Sequence, residues 1–365
     1  MIESTQPNSS WTPYFSVLPN HLDSLVFWSE SELIQLQASA VVNKLGRAEA
    51  DHYYTTIIAP LNIPGGPQLF HHMASLIMAY AFDIPEHKVE DKEDDEEELQ
   101  EDDEETVLTM IPLADMLNAD ADRNNARLMC DSDDLEMRAI KPIRRGEEIF
   151  NDYGQLPRSD LLRRYGYITD NYAKYDVAEI SSELILQTLK EQPSSRGVDL
   201  DTRIRLAERE GIYEEAYDIT HADPDEEQYC IPDELLAFIW ILCIDDDTYQ
   251  ALTLSTASIP SSRSKIATQY VGQMCSQVLT TRYAQYGTNP EEDETLLLQQ
   301  LDYRFSMAVQ VRLGEKRVLL EALREASAML GENRRMRSVQ PYTLNTGKRD
   351  RDDNNSTTLA KKRKA

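Results

Sequence analysis

A tyrosine stands in the turn of the stretch GEEIFNDYG, residues 146–154, between an apolar run and a glycine. Turns usually carry small polar side chains that bond their own backbone or tolerate unusual dihedral angles, so a phenol at Tyr153 needs another reason. The residues by themselves favour the simpler interpretation, a half-buried phenol at the end of a strand.

A second polar motif, IPLADMLNADADRNNARL, spans residues 111–128 and contains Asp115 and Asn118. Taken alone, both are ordinary turn residues. The six histidines are scattered, and the chain has neither a phosphate-binding Walker loop nor GxGxxG. The four cysteines form no CxxC pair and no cluster with histidine, so we expect no metal site and no disulfide framework. These two motifs therefore remain the candidates for chemistry.

The composition indicates a globular, acidic protein. The 365 residues are 41% hydrophobic, and 37 Lys and Arg against 65 Asp and Glu give a net charge of −28. Such a charge disfavours direct binding of nucleic acid and favours basic partners. There is no 18-residue apolar run, and the first twenty residues lack the pattern of a signal peptide, so we expect no contact with a membrane.

Helices and then strands are predicted around the two motifs. Ser29 and Glu32 have the spacing of a capping box and open an amphipathic helix that runs towards Leu45. A second helix is predicted over 70–85, buried on most faces and ended by Pro85. After an acidic insertion at 86–106, which we expect to be disordered, short strands are predicted in VLTMIPLADML, ARLMC, LEMRAIKPI and GEEIF.

From about residue 176 the chain is predicted to be helical. The segments are VAEISSELILQTLK, PDELLAFIWILCI and one long helix that begins at DETLLLQQ and ends at Gly331. The last stretch, 331–365, is basic and polar. Its clusters Lys348-Arg349 and 361–364 have the spacing of a bipartite nuclear-import signal. We therefore expect nuclear localisation, with cytoplasm as a second location; a plain solvated tail is the alternative.

Taken together, the two motifs resemble those of SET-domain lysine methyltransferases. The segments WTPYFSVLP, FWSESELIQLQ, FHHMASLIMAYAFD, LLRRYGY, CIPDELLAFIWIL and VQVRLGEKRVLLEAL extend the resemblance to the branch that includes plant Rubisco methyltransferase. Within that branch the chain is most similar to fungal ribosomal-protein lysine methyltransferases and their animal relatives. The resemblance covers residues from about 11 to about 330.

The resemblance implies an α+β fold in which a SET domain is followed by an all-α substrate-binding domain. The SET domain would occupy 1–172, with a helical insert at about 11–85 and the acidic loop at 86–106. The helical domain would occupy 173–330, and the basic tail 331–365. The family begins with a strand and a GxG turn that holds the cofactor, and no GxG occurs in these residues. We therefore expect the N-terminal strands of the SET domain, and that part of the cofactor site, to be missing.

The resemblance also implies roles for particular residues. Tyr153 would point its hydroxyl at the transferred methyl group and the incoming amine, so it is both the catalytic residue and a cofactor contact. S-adenosyl-L-methionine would be the cofactor. Its adenine would be held by Asn118 and the backbone of Ala119, in a loop shaped by Asp115. At position 119 the family usually has histidine, but the contact is chiefly a backbone one.

Two further tyrosines are implied as substrate-binding residues: Tyr167 in RRYGY would line the lysine channel, and Tyr80 is a weaker candidate. The substrate would be a basic protein, with a large-subunit ribosomal protein as the expected one, and the enzyme a monomer. Two other functions stay open. One is a catalytically impaired SET-derived module that binds a basic nuclear or ribosomal protein. The other is an acidic escort for ribosomal proteins, based on 86–106 and the basic tail.

Overall fold

The computed structural model describes residues 1–85, 106–130, 134–192, 198–223, 225, 228–255 and 257–330. The predicted acidic insertion, apart from Thr106, and the predicted basic tail lie outside these residues. The described residues form an N-terminal half of short helices and strands and a C-terminal half of longer helices. In the described residues no helix is both long and apolar enough to cross a membrane.

The N-terminal half begins with helices joined by short 3-10 turns. The α-helices are α1 (Thr12–Phe15), α2 (Glu30–Leu33), α3 (Arg47–Tyr53) and α4 (Gly66–Tyr80). Two antiparallel hairpins follow, and helix α5 (Arg158–Tyr165) ends this half. The strands are β1 (Ala81–Pro85) with β2 (Thr106–Met110), and β3 (Ala126–Cys130) with β4 (Leu135–Ala139).

The predicted helix from Ser29 to Leu45 is wrong in extent. The capping box is present, since the backbone N–H of Ser29 donates to Glu32 Oε2 at 2.7 Å. The helix ends after Leu33, however, and the chain then bends at Gln37, whose φ of 53° lies in the left-handed region. The side chain of Gln37 offsets this strain because its amide oxygen accepts from the backbone N–H of Gly287 at 3.1 Å.

Two other local predictions are corrected. Residues 81–85, predicted as the end of a helix, form strand β1, and helix α4 exposes Ile77 and Met78 instead of being buried on most faces. The predicted strand in GEEIF is absent as a regular strand. Phe150 donates its backbone N–H to the side-chain oxygen of Asn125 at 2.9 Å, so it makes no strand ladder at that position.

The C-terminal half is mostly helical, as predicted, but it is not all-α: residues 178–181, predicted as part of the helix in VAEISSELILQTLK, form a strand. Strands β5 (Ala178–Ser181) and β6 (Ala216–Ile219) pair antiparallel and lie beside the helices. The single long helix predicted from DETLLLQQ is two helices, interrupted at 298–302. The helices are α6 (Ser182–Lys190), α7 (Leu200–Arg209), α8 (Asp233–Cys243), α9 (Asp246–Thr253), α10 (Arg263–Ile266), α11 (Gln269–Ala284), α12 (Pro290–Leu297) and α13 (Tyr303–Leu330).

Helix α13 belongs to two apolar clusters. Its first part contributes Met307 and Val311 to a small cluster with Leu25, Trp28 and Leu162 of the N-terminal half. Its later part contributes to the large cluster of the helical domain, which is built mainly on helices α7, α8 and α11. The helix therefore joins the two halves through continuous packing.

Charged side chains are buried on α13 where these two clusters meet. Arg312 donates to Asp293 at 2.7 Å and to the carbonyl of Gln35 at 2.7 Å. Glu315 accepts from Ser39 Oγ and from the hydroxyl of Tyr286, each at 2.5 Å. These buried polar side chains thus bond the 35–39 segment of the N-terminal half to the helical domain. Each of these buried charged groups has a hydrogen-bond partner.

Candidate functional site

The two sequence motifs are folded directly against each other. The backbone N–H of Asn151 donates to the carbonyl of Asn118 at 2.8 Å, and the N–H of Asp120 donates to the carbonyl of Asn151 at 3.3 Å. Residues 119 and 151 thereby form a parallel β-bridge. Further along, the N–H of Ala126 donates to the carbonyl of Phe150 at 3.1 Å. Backbone bonds therefore fix the loop that carries Asp115 and Asn118 beside the turn that carries Tyr153.

Tyr153 occupies the centre of this junction. Its hydroxyl donates to the carbonyl of Leu117 at 3.2 Å, and its ring stacks on Tyr165 with centroids 4.4 Å apart and planes 14° apart. Gly154 supplies the left-handed conformation after it, with φ of 80°, and its N–H donates to Asp152 Oδ1 at 2.8 Å. Both the ring and the hydroxyl of Tyr153 are thus held in place.

The tyrosine surroundings keep Tyr153 in its neutral form. Burial raises the pKa of its phenol, and the neighbouring phenols of Tyr167, Tyr165 and Tyr80 and the charge of Asp115 raise it further. A phenol with a raised pKa stays a hydrogen-bond donor at neutral pH and is no base. Of the two tyrosines predicted to bind substrate, Tyr167 lies beside Tyr165, with ring centroids 6.3 Å apart, and Tyr80 is the last residue of helix α4.

Tyr165 was missed by the sequence predictions, although it stacks on Tyr153. Its position depends on Gly166, which ends helix α5 with φ of 75°. A Cβ at Gly166 would lie 2.6 Å from the backbone nitrogen of Ser24, so only glycine allows this close approach. The RRYGY motif thus places Tyr165 and Tyr167 on either side of a glycine packed on the N-terminal segment. The sequence signal that could have identified Tyr165 was the pattern RYGY, which has a tyrosine on each side of the glycine.

Asp115 is buried, with 5% of its surface exposed, and one of its oxygens accepts a hydrogen bond from the hydroxyl of Tyr14. Burial raises the pKa of this carboxyl, against hydrogen bonds that lower it. Tyr14 was not predicted, since nothing in WTPYFSVLP marks its hydroxyl as a partner for a residue 101 positions away.

Asn118 and Ala119 lie at the bridge to Asn151. The side-chain amide of Asn118 donates to Glu148 Oε1 at 2.7 Å. The bridge uses the carbonyl of Asn118 and the N–H of Asp120, so the backbone N–H and carbonyl of Ala119 are outside this bonded pair. The bridge therefore does not use these two groups, and the adenine contact at position 119 stays a prediction.

The sequence predictions also missed Asp120, whose carboxylate accepts several hydrogen bonds within the loop. Its Oδ1 accepts from the backbone N–H of Asp122 at 3.0 Å and from Asn171 at 2.9 Å, and its Oδ2 accepts from Arg123 Nε at 2.8 Å. Burial tends to raise the pKa of Asp120, but the bonds from Arg123 and from the backbone outweigh it and lower the pKa. Asp120 thus remains ionised and holds the loop closed.

The resulting site is a tyrosine-lined surface with two buried carboxylates, Asp115 and Asp120, in the adjoining loop. Phenol rings and a carboxylate favour a cationic guest. Among the described residues no group of three or more His, Cys, Asp or Glu could hold a metal ion. The site can therefore bind and orient a cation through hydroxyl, carbonyl and carboxylate oxygens.

Comparison with known families identifies the domains. A SET domain matches residues 6–154, and the Rubisco LSMT substrate-binding domain matches residues 199–319. The chain thus carries the two domains of the group that its sequence resembles, a SET domain followed by a Rubisco LSMT substrate-binding domain. This confirms the predicted fold class and family. The predicted domain boundaries at 172 and 330 stay predictions.

Individual relatives belong to the same group. Ribosomal lysine N-methyltransferase 4 of Saccharomyces cerevisiae is 38% identical over 205 residues, which are 52% of this chain and 42% of the yeast protein. Human N-lysine methyltransferase SETD6 is 28% identical over 365 residues, covering 88% of this chain and 72% of the human one. The chain thus matches less than half of the length of the yeast relative.

Solved structures of Rubisco LSMT share the fold. The SET domain of LSMT bound to lysine and AdoHcy superposes with a TM-score of 0.65 at 21% identity, over 90% of this chain and 72% of that chain. Rubisco LSMT bound to AdoMet superposes with a TM-score of 0.64 at 20% identity, over 90% of this chain and 73% of that chain.

Proposed function

We propose that this protein is an S-adenosylmethionine-dependent protein-lysine N-methyltransferase, and that its substrate is a large-subunit ribosomal protein. The observation that carries the proposal is the fixed Tyr153. In a SET fold, its hydroxyl is bonded to the loop that holds Asp115, Asn118 and Ala119 and is surrounded by other phenols. This geometry suits the positioning of an amine against a methyl donor.

The described residues fit the adenine and the sulfonium of the proposed cofactor by charge and by available contacts, whereas the GxG turn expected to hold its methionine part does not occur in this sequence. The sulfonium of S-adenosylmethionine is a cation, which the phenols and the carboxylate of Asp115 favour. The backbone of Ala119 and the side chain of Asn118 would hold the adenine. Bound there, S-adenosylmethionine supplies an electrophilic methyl group to the substrate amine.

The chain's own residues have three tasks in the reaction. Lysine has a pKa of about 10.4 in water, so the site has to favour the neutral amine, and tyrosine-lined burial does so by desolvating the ammonium. The carbonyl of Leu117 fixes the Tyr153 hydroxyl, and this hydroxyl helps to orient the amine. Holding the reacting atoms in line contributes about 7 kcal/mol or more in well-oriented systems.

The acidic composition and one relative's name support the substrate. A net charge of −28 attracts basic proteins, and electrostatic attraction accelerates their encounter with the enzyme. The yeast relative is named a ribosomal lysine methyltransferase. We also propose that the protein is a monomer and that the basic residues 348–349 and 361–364 direct it to the nucleus, where ribosomal proteins are assembled.

A transfer assay with Tyr153→Phe tests the function. Salt-extracted ribosomal proteins are incubated with the protein and S-adenosylmethionine labelled in its methyl group. We expect label in a large-subunit protein, with a rate about 10²-fold lower for Tyr153→Phe, because one oriented hydroxyl at a transition state is worth about 3 kcal/mol. Calorimetric titration should show equal cofactor affinity for both forms.

Different results would change the assignment. If both forms transfer equally, Tyr153 has no part in the reaction. If neither transfers label but the protein retains a ribosomal protein on a column, the catalytically impaired binding module is the better description.

A further inference from the structure

A strained turn lies where the N-terminal half meets the helical domain. The backbone N–H of Ser39 donates to the carbonyl of Leu36 at 3.1 Å, and Gln37 between them has φ of 53° and ψ of −119°. This bond and these angles are those of a type II′ turn, whose first central position normally holds glycine. A glutamine there is strained, so the turn persists only while other contacts hold it.

The contacts that hold this turn come from the helical domain. Four of the five residues at 35–39, which we call the strap, are bonded to that domain. The bonds run from Arg312 to the carbonyl of Gln35 at 2.7 Å, from Gly287 to the side chain of Gln37 at 3.1 Å, from Arg282 to the carbonyl of Ala38 at 2.7 Å, and from Ser39 to Glu315 at 2.5 Å. The strap therefore keeps its strained shape while it is docked on the helical domain.

Glu315 is the strap partner that can change its charge near neutral pH. It is 4% exposed, and its two oxygens accept from the hydroxyls of Ser39 and Tyr286. Among the described residues no cationic side chain forms an ion pair with Glu315, and the cations beside it on α13 pair with Asp293 instead. A buried carboxyl that is bonded only to hydroxyls favours its neutral form, because desolvation penalises the charge.

Charged groups surround Glu315 on every element packed against it. Burial raises the pKa of Glu315 to about 7, against the two hydroxyl bonds and the charge of Arg282, which lower it, and the charge of Asp176 raises it further. Burial also raises the pKa of Asp176, and the charges of its ion-pair partner Arg158 and of His221 lower it. The remaining charged groups are Arg312 and Lys316 on α13 and Asp293 on α12. Since a histidine can titrate near neutral pH as well, His221 needs its own control.

We propose that the strap is a strained, pH-sensitive latch, which stays closed on the helical domain while Glu315 is protonated and is released when Glu315 ionises. In the open strap the carboxyl is hydrated and has its ordinary pKa of 4.5, so the closed strap binds the proton more tightly. The closed form is therefore fully favoured below pH 4.5, and this advantage is lost as the pH rises through about 7. The released proton passes to water.

Release of the strap reaches the tyrosine site through helix α5. Leu36 of the strap and Leu162 of α5 are both fully buried and belong to the same apolar cluster. Three residues after Leu162, helix α5 ends at Tyr165, whose ring stacks on Tyr153. Because release withdraws Leu36 from this cluster, we expect α5 and Tyr165 to be held less firmly at high pH.

Hydrogen exchange of the full chain measures this opening. The backbone N–H groups of Gln37 and Ser39 are bonded at 3.0 and 3.1 Å, so they exchange when the turn opens. Rates measured by mass spectrometry at pH 6 and pH 8 are each divided by the rate of an unstructured peptide of the same sequence at that pH. We expect the corrected rate to rise about tenfold between the two pH values, as the two pKa values of Glu315 require.

A latch also has to open by itself. We expect the strap amides to exchange faster than those of α11, which are released only when the helical domain unfolds. Equal corrected rates in the strap and in α11 would mean that the strap opens only by unfolding of the domain, and would overturn the proposal.

Glu315→Gln tests the trigger. Glutamine is neutral at both pH values, so the corrected rate of this variant should be the same at pH 6 and pH 8. The matched control, His221→Gln, removes the nearby histidine, and we expect it to keep the tenfold rise. A rise that is retained in Glu315→Gln, or that is lost in His221→Gln alone, would overturn the proposal.

Two substitutions of Gln37 test the strain. Both Gln37→Ala and Gln37→Gly lose the bond to Gly287, but only alanine keeps a side chain at the positive φ. We expect the strap to exchange at least about threefold faster in Gln37→Ala than in Gln37→Gly at pH 6. Equal rates in the two variants would show that the turn stores no strain and would overturn the strained latch.

The outcome is independent of the proposed function, since no arm of the experiment uses S-adenosylmethionine or a substrate lysine. A protein that transfers no methyl group can still open its strap with rising pH, and an active methyltransferase can lack this dependence. Failure of the latch and failure of the methyltransferase function are therefore distinguished.

Discussion

The region around Tyr153 and the helical domain that follows it in the chain differ in how many apolar side chains they bury. Among the described residues, the main apolar cluster contains thirty buried side chains, and all of them lie between Ala178 and Ala326. Between residues 81 and 154 the buried apolar side chains in the described part are Ala114 and Ala126. The helical domain is thus stabilised by apolar burial, which the region around Tyr153 largely lacks.

Hydrogen bonds take the place of a core around Tyr153. The two polar motifs are joined by backbone bonds and by the side chains of Asn118, Asn125 and Asp152. Hairpins β1–β2 and β3–β4 are separate two-stranded sheets, and such pairs are marginally stable by themselves. A site held by many directional bonds of about 1 kcal/mol each is well oriented but gains little stability from burial.

Truncating one side chain in each region gives the largest expected difference. Phe238 is fully buried in the helical domain, whereas Leu108 in strand β2 is 64% exposed. We expect Phe238→Ala to lower the free energy of unfolding by about 3–5 kcal/mol and Leu108→Ala to change it by less than about 0.5 kcal/mol. Urea denaturation followed by circular dichroism measures both, and equal losses would contradict the comparison.

A glycine on α13 tests how the two regions are joined. A Cβ at Gly314 would lie 1.9 Å from Asp176 Oδ2 and 2.6 Å from a nitrogen of Arg158, which form a buried ion pair. We expect Gly314→Ala to cost about 3 kcal/mol, because the pair has to separate. The matched control is Gly287→Ala, whose Cβ would meet Gln37 at an ordinary 3.8 Å. If the Gly314→Ala protein is as stable as this control, the ion pair of Asp176 and Arg158 can move away from α13 without a loss of stability.

The buried carboxyl of Glu315 predicts an unusual pH dependence. Burial raises its pKa from 4.5 to about 7, against the hydrogen bonds from Ser39 and Tyr286, which lower it. Because the folded state binds this proton more tightly, the contribution of Glu315 to stability is fully present below pH 4.5. It is lost as the pH rises through about 7.

Replacing Glu315 by glutamine should remove this dependence. We expect the stability of Glu315→Gln relative to the unmodified protein to increase by up to about 3 kcal/mol between pH 4.5 and pH 8. The control is Glu294→Gln, an exposed carboxylate that pairs with Arg317. Urea midpoints measured across this range decide the matter, and parallel curves for Glu315→Gln and the unmodified protein would refute the raised pKa.

The smallest expected effect concerns the bonds around Asp120. Asp120→Asn removes the charge that Arg123 and the backbone bond, and we expect a loss of about 1–2 kcal/mol. Asp122→Asn, which removes an exposed pair with Lys174, should cost less than about 0.5 kcal/mol. Hydrogen exchange of the amides around 118–126 would locate the change. If exchange there stays unaltered in Asp120→Asn, other bonds hold the loop.

The sequence by itself indicated the family and the two motifs that the fold brings together. The residues of GEEIFNDYG and IPLADMLNAD by themselves favoured ordinary turns, and only their combined resemblance to SET-domain methyltransferases pointed to Tyr153, Asp115 and Asn118. Helical periodicity likewise predicted α8 and most of α13. The capping box at Ser29 was correct, since its two partners are three residues apart.

The tertiary structure decided what depends on contacts between distant residues. The helix predicted from Ser29 ends at Leu33, and the chain then bends at Gln37, whose side chain bonds Gly287 and Thr288, 250 and 251 residues later. Tyr14 meets Asp115 across 101 positions, and Gly166 is needed because the backbone of Ser24 packs on it. Local propensity contains no information on such approaches, which arise only when the whole chain packs.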